Sequence, residues 1–284
     1  MLTSFIITFR EALEAALIVG IIAAYLGKIG RRDLNKYLWI GTLGAIVASI
    51  TVAVIFMAVY GGLGGTAEKI FEGVATLTAA AVLTYMIFWM AKHANLMKGE
   101  LEEKVDTAIS TGALFGISVT AFFAVFREGV ETVLFLGARA MQYPVETLIG
   151  LLAGVSIVFG LTILMFKGTY LLDLKKFFKY TSIILLIFAA GFVAYGVHEL
   201  NEVGVVPPVI ERVWDINPSR NLDGSYPALH EKGVIGSILK SLIGYNGDPS
   251  LTEVLAYLGY WLVVGSYVLK TYRFEPSPST AYRG

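Results

Sequence analysis

Apolar residues run along this chain in long blocks separated by short polar stretches. About 20 such residues span the hydrocarbon core of a bilayer. Seven blocks reach that length: 4–27, 36–59, 69–92, 112–140, 146–166, 178–200 and 251–270. Between the third and fourth, residues 95–108 carry Lys98, Glu100, Glu102, Glu103, Lys104 and Asp106, the composition of a solvated linker or short surface helix. Residues 201–250 make the one long loop, rich in polar residues and marked by Pro207, Pro208, Pro218, Pro227 and Pro249. Within it, 228–243 suits a short amphipathic helix lying on a membrane surface. The tail from residue 276 reads as frayed.

Basic residues fall on alternate connections. Lys28, Arg31, Arg32 and Lys36 follow the first block, and Lys92, Lys98 and Lys104 surround the third connection. Lys167, Lys175, Lys176 and Lys179 make the fifth, and Lys270, Arg273 and Arg283 the C-terminal end. The second connection has no basic residue before Lys69, and the fourth has only Arg139 on its flank. The positive-inside rule then puts the N-terminus outside and the C-terminus inside, which requires an odd number of spans. The first block lacks a basic leader and holds charges within its apolar part, so it reads as a retained spanning helix, not a secretory signal.

Composition agrees. The chain is 56% hydrophobic and 15% charged, with a mean hydropathy of +0.69, against about 25% charge in soluble domains. Lys+Arg and Asp+Glu are both 22, a balance that offers nothing to nucleic acid. There is no cysteine, which excludes disulfides, thiolate metal sites and cysteine nucleophiles. His93, His198 and His230 are too few for a histidine-rich zinc site. Oxygen ligation is what remains.

The first block contains Arg10-Glu11-Ala12-Leu13-Glu14, and the fourth contains Arg127-Glu128-Gly129-Val130-Glu131. On a helix the two glutamates of each copy lie one turn apart, with the arginine on the same face. Ionised groups inside a span are costly and need a function or a partner. At an offset of 117, Phe5, Phe9, Leu17, Gly20 and Ala23 also match Phe122, Phe126, Leu134, Gly137 and Ala140, while Ile40-Gly41 pairs with Ile149-Gly150 and His93 with His198. Helices one to three therefore repeat as helices four to six. Three is odd, so the second unit is inverted, and such repeats hold their site at the bilayer midplane. The expected fold is an all-α polytopic membrane protein with seven transmembrane helices as an inverted 3+3 repeat plus one. Its parts are a first three-helix repeat (1–94), a cytoplasmic linker (95–111), the inverted repeat (112–200), an extracytoplasmic loop (201–250), and the seventh helix with its tail (251–284).

A structural ion pair would account for one motif. Two motifs meeting at one depth leave four carboxylates against two arginines, and uncompensated buried charge is costly. A bound cation is the simplest missing partner. Carboxylates suit hard or borderline ions, including magnesium, calcium, manganese and iron. The metal ligands expected are Glu11, Glu14, Glu128 and Glu131, with Arg10 and Arg127 as supporting charge. Glu68 and Glu72 at the outer end of the third helix, with His198 and Glu199 at that of the sixth, form a candidate outer cation station, although acids at a helix N-terminus also stabilise it. Tyr85, Trp89 and Tyr195 could line a path, and nothing sets them apart from other aromatic positions.

The doubled Arg-Glu-x-x-Glu motif, in the first and fourth of seven spans, resembles the oxidase-dependent high-affinity iron permeases, a family that includes the fungal iron permease, the bacterial ferrous-iron-uptake permease and some lead-uptake relatives. The resemblance covers essentially the whole chain. The family often has Gly-Leu between the charged residues, where this chain has Ala12-Leu13 and Gly129-Val130, and the acidic outer-loop motifs of fungal members are not matched. The resemblance implies a multi-pass permease of the cell (plasma or inner) membrane. Iron (Fe2+ or Fe3+) is its cargo rather than a permanently bound cofactor, and an extracytoplasmic ferroxidase or iron-delivery protein is implied as a partner. It assigns iron carriage to Glu11, Glu14, Glu128 and Glu131. The alternatives are a permease for lead or manganese, and an intramembrane di-iron carboxylate enzyme. The enzyme needs Glu-x-x-His pairs, and no histidine here has a glutamate three residues before it. Nothing in the sequence specifies an oligomeric state.

Overall fold

The computed structural model describes residues 1–93, 96–166, 174–221 and 223–273. The described residues form helices α1 (Leu2–Lys28), α2 (Asn35–Gly61), α3 (Thr66–His93), α4 (Met97–Ser110), α5 (Phe115–Ala140), α6 (Pro144–Phe166), α7 (Leu174–Glu202), α8 (Val234–Ile243) and α9 (Leu251–Arg273), with a short 3-10 turn at Arg32–Leu34. Each of the seven apolar blocks is a helix. The charged segment after α3 is α4, whose Leu101, Val105 and Ala108 turn inward against Leu26, Leu38 and Ile117. Lys167, Arg283 and the tail from residue 276 lie outside the described residues.

Among the described residues, five helices are long and apolar enough to cross a membrane: those within Arg32–Gly61, Thr66–His93, Pro144–Leu164, Phe177–Glu202 and Leu251–Lys270. The protein is a multi-pass, all-helical membrane protein. Helices α1 and α5 have the length, at 27 and 26 residues, but each carries the charges of one motif.

The helices interlock. α2 packs chiefly on α5, α1 on α6, and α3 on α7, while α1 and α5 lie side by side. Small residues make the close approaches. A methyl group on Gly41 of α2 would strike the backbone of Ser118 on α5, and one on Gly150 of α6 would come within 2.7 Å of the Met1 carbonyl oxygen at the start of α1. Gly129, inside the second motif, is filled by Ser49 of α2, and Gly137 by the Phe56 ring.

The amphipathic segment of the long loop is a helix only over Val234–Ile243. Its C-terminal end packs on α7, while Val234, Ile235 and Ile238 remain exposed. Leu242 packs against the core cluster that contains Phe188, and Gly244 abuts Gly191, 11 residues before the end of α7. At 1.5 Å per residue this is about 16 Å along α7, so the loop dips beside the helix. Gly244, left-handed at φ 72°, ends α8 at that contact, where a side chain would be both strained and obstructed.

Candidate functional site

The Arg-Glu-x-x-Glu spacing produces the same local arrangement twice. On α1, Arg10 Nη1 donates to Glu11 Oε1 at 2.7 Å and Nη2 lies 2.9 Å from Glu14 Oε1. On α5, Arg127 Nη2 lies 2.9 Å from Glu128 Oε1 and Nε 3.4 Å from Glu131 Oε1. The motifs sit well inside their helices. Arg127 follows the first residue of α5 by 12 positions and Glu128 precedes its last by 12, about 18 Å each way.

The packing of α1 on α5 brings the two motifs together. One ligand oxygen from each of Glu11, Glu128 and Glu131 lies within 4.8 Å of the others. Glu14 is held on Arg10 and stands outside that trio, although it is as buried as Glu11. All four glutamates and Arg10 are buried. The Oε2 atoms of Glu11, Glu14, Glu128 and Glu131 are all buried without a hydrogen-bond partner. Buried acceptors normally have partners, and charged ones left bare cost several kcal/mol. Anionic oxygens converging in a dry interior can replace the hydration shell of a hard cation.

The surrounding residues differ between the motifs. Arg10 Nη2 also donates to Met86 Sδ of α3 at 2.8 Å, whereas the Arg127 guanidinium lies over the ring of Trp89, 4.6 Å from its centroid. Met86 carried no signal in the sequence, because a thioether in an apolar block looks like ordinary core. Tyr85 is exposed.

The four residues of the candidate outer station lie at the ends of α3 and α7, where they join three different sets of partners. Glu72 accepts from Tyr60 Oη at 2.7 Å and from Tyr195 Oη at 2.9 Å. Tyr60 Oη also lies 3.3 Å from Glu68 Oε1. Lys69 Nζ lies 2.6 Å from Glu199 Oε2 and 3.2 Å from Glu202 Oε2. His198 bridges Glu202 and Glu253 of α9. Lys69, Tyr60 and Glu253 thus complete a network that the sequence only partly indicated. At the other end of α3, His93 stacks on Trp89.

The profile of the iron permease FTR1 family matches residues 1–275. The chain belongs to that family. Among its relatives, an uncharacterized protein of Archaeoglobus fulgidus is 36% identical over 276 residues, covering 96% of each chain. The ferrous iron permease EfeU of Yersinia pestis is 33% identical over 267 residues, covering 92% of this chain and 90% of its own. EfeU of Escherichia coli O6:K15:H31 is 32% identical over 263 residues, covering 92% of each. No solved structure matches. Membership of the FTR1 family makes this chain a permease and not an enzyme, which removes the di-iron oxidase reading.

Proposed function

We propose that this FTR1-family chain imports iron across the plasma (inner) membrane through one midplane site built from Glu11, Glu14, Glu128 and Glu131. Seven helices, α1–α3, α5–α7 and α9, span the bilayer, with the N-terminus outside, the C-terminus inside, and α5–α7 an inverted copy of α1–α3. The observation that carries this reading is the convergence of Glu11 with Glu128 and Glu131 from two different helices, each with an unpartnered buried oxygen.

The repeat is supported by packing. Ser118, on which Gly41 rests, is the counterpart of Met1 at the offset that aligns the motifs, and Met1 is where Gly150 rests. Exchange of the two halves turns the α2–α5 contact into the α6–α1 contact, and both are extensive.

Iron entering from outside, as Fe2+ or as Fe3+ supplied by an extracytoplasmic ferroxidase or delivery protein, exchanges water for these carboxylates. Arg10 and Arg127 hold the glutamates in place and keep the net charge of the site low, so that the ion is bound without being trapped. Glu68, Glu72, His198 and Glu199 collect cations ahead of it. Radiolabelled iron uptake into vesicles tests the reading. Uptake should persist against excess manganese or lead and vanish in Glu131→Gln. Competition by manganese or lead equal to that by unlabelled iron would remove the iron assignment, and full uptake by Glu131→Gln would remove the site.

A further inference from the structure

Arg10 and Arg127 hold equivalent places in the two motifs but have different surroundings. Arg10 is 0% exposed, while the side chain of Arg127 is 40% exposed. That exposure opens into a cavity of about 410 Å³ at the α4 end of α5, walled by Trp89, Met97, Glu100 and Lys104 together with Arg127 and Glu128. Trp89 is fixed from behind. Its ring stacks on His93 at 4.7 Å and 12°, and His93 Nδ1 lies 2.9 Å from the Trp89 carbonyl oxygen.

We infer that Arg127 and Trp89 form the inner gate of the ion path, and that the cavity bounded by Glu100 and Lys104 is the vestibule into which the ion is released. The inference rests on the glutamate site and the orientation proposed above. Arg127 pairs with Glu128 at the edge of the cavity, and both line it. A cation on the glutamates repels the guanidinium. The indole face then gives Arg127 a second partner, so it can leave the carboxylates without becoming a bare charge. Arg10, wholly buried between its own glutamates and the Met86 sulfur and attracted as well by Glu128 and Glu131, stays in place. Beyond the gate, Glu100 receives the ion, and Lys104, one turn further along α4, opposes its retention. Trp89 is thus a positioning residue that acts through Arg127.

Two measurements test this. The first is the kinetics of iron uptake in Trp89→Ala and Trp89→Phe. The maximal rate of Trp89→Ala should fall tenfold or more per folded molecule, with KM and equilibrium iron binding within about twofold of the parent, and Trp89→Phe should recover most of the rate. A merely structural role would lower the amount of folded protein and leave the rate per molecule unchanged, which overturns the gate. The second uses the absence of cysteine from the chain. A single Ala124→Cys on the cavity wall should react with an impermeant thiol reagent from the cytoplasmic side alone. Reaction from outside alone, or from neither side, overturns the vestibule. Loss of iron binding by the parent protein would instead refute the glutamate site, so the two failures are distinct.

Discussion

Glu11 of α1 and Glu128 of α5 are 117 positions apart in sequence, yet their ligand oxygens lie within 4.8 Å of each other. Each is pinned through one oxygen by its neighbouring arginine, and each presents the other oxygen unpartnered. Two like charges held this close in a dry interior are stable only with cations nearby, which makes the arginines the first targets.

Arg10→Gln should be far more damaging to stability than Arg127→Gln. Loss of a wholly buried partner strands Glu11 and Glu14, at a cost of about 3–5 kcal/mol. Arg127 is partly exposed, so solvent screens part of its loss, but buried Glu128 is left without its cation, at a smaller cost of about 1–3 kcal/mol. Thermal unfolding in detergent should show a clearly larger fall in midpoint for the first than for the second. Equal falls would contradict the asymmetry.

Gly41→Ala and Gly150→Ala should each destabilise the protein, by about 1–3 kcal/mol for an overpacked contact, because both face the backbone of a neighbouring helix. Gly160→Ala and Gly259→Ala meet nothing within 4 Å and should leave the thermal midpoint unchanged or slightly raised. The comparison reads the two interlocking contacts directly.

The positions of the helices were legible because apolar length alone marks them, and the doubled motif was legible in α1 and α5 because charges inside a long apolar block are rare. The pairing of the helices was not. α2 and α6 are apolar all round, so no face declares a partner. Within the site, Glu11, Glu128 and Glu131 were expected together and are found together. The aside of Glu14, held on Arg10, depends on side-chain orientation that spacing does not fix. Met86 and Trp89 carry no charge and sit in apolar blocks, so their contacts with the arginines belong to tertiary packing alone. Glu68, Glu72, Glu199 and His198 were recognisable as charged groups at helix ends, but their contacts with Tyr60, Lys69 and Glu253 arise only from packing between helices.

Lys69→Met should lower the thermal midpoint, since buried Glu199 then lacks its cation, a loss of about 1–3 kcal/mol. Lys69→Arg should retain most of it. If the outer residues collect cations, added iron or manganese should restore the midpoint of Lys69→Met by taking the place of the ammonium. A variant indifferent to metal would argue that the network is structural only.

The proposed orientation predicts that a reporter active only in the cytoplasm works when fused after residue 284 and fails when fused before Met1. A site in α4 should also be cut by protease added from the cytoplasmic side alone. Activity at both termini would require an even number of spans and would remove the inverted repeat.

The most direct test of the central claim is iron binding to the purified protein bearing Glu11→Gln, Glu128→Gln or both. If the two glutamates serve one ion, each single variant should lower affinity tenfold or more. The double variant should then be little worse than the poorer single one, because residues sharing a ligand do not act additively. Multiplicative losses in the double variant, or two ions bound independently by the parent protein, would contradict a single site shared between α1 and α5.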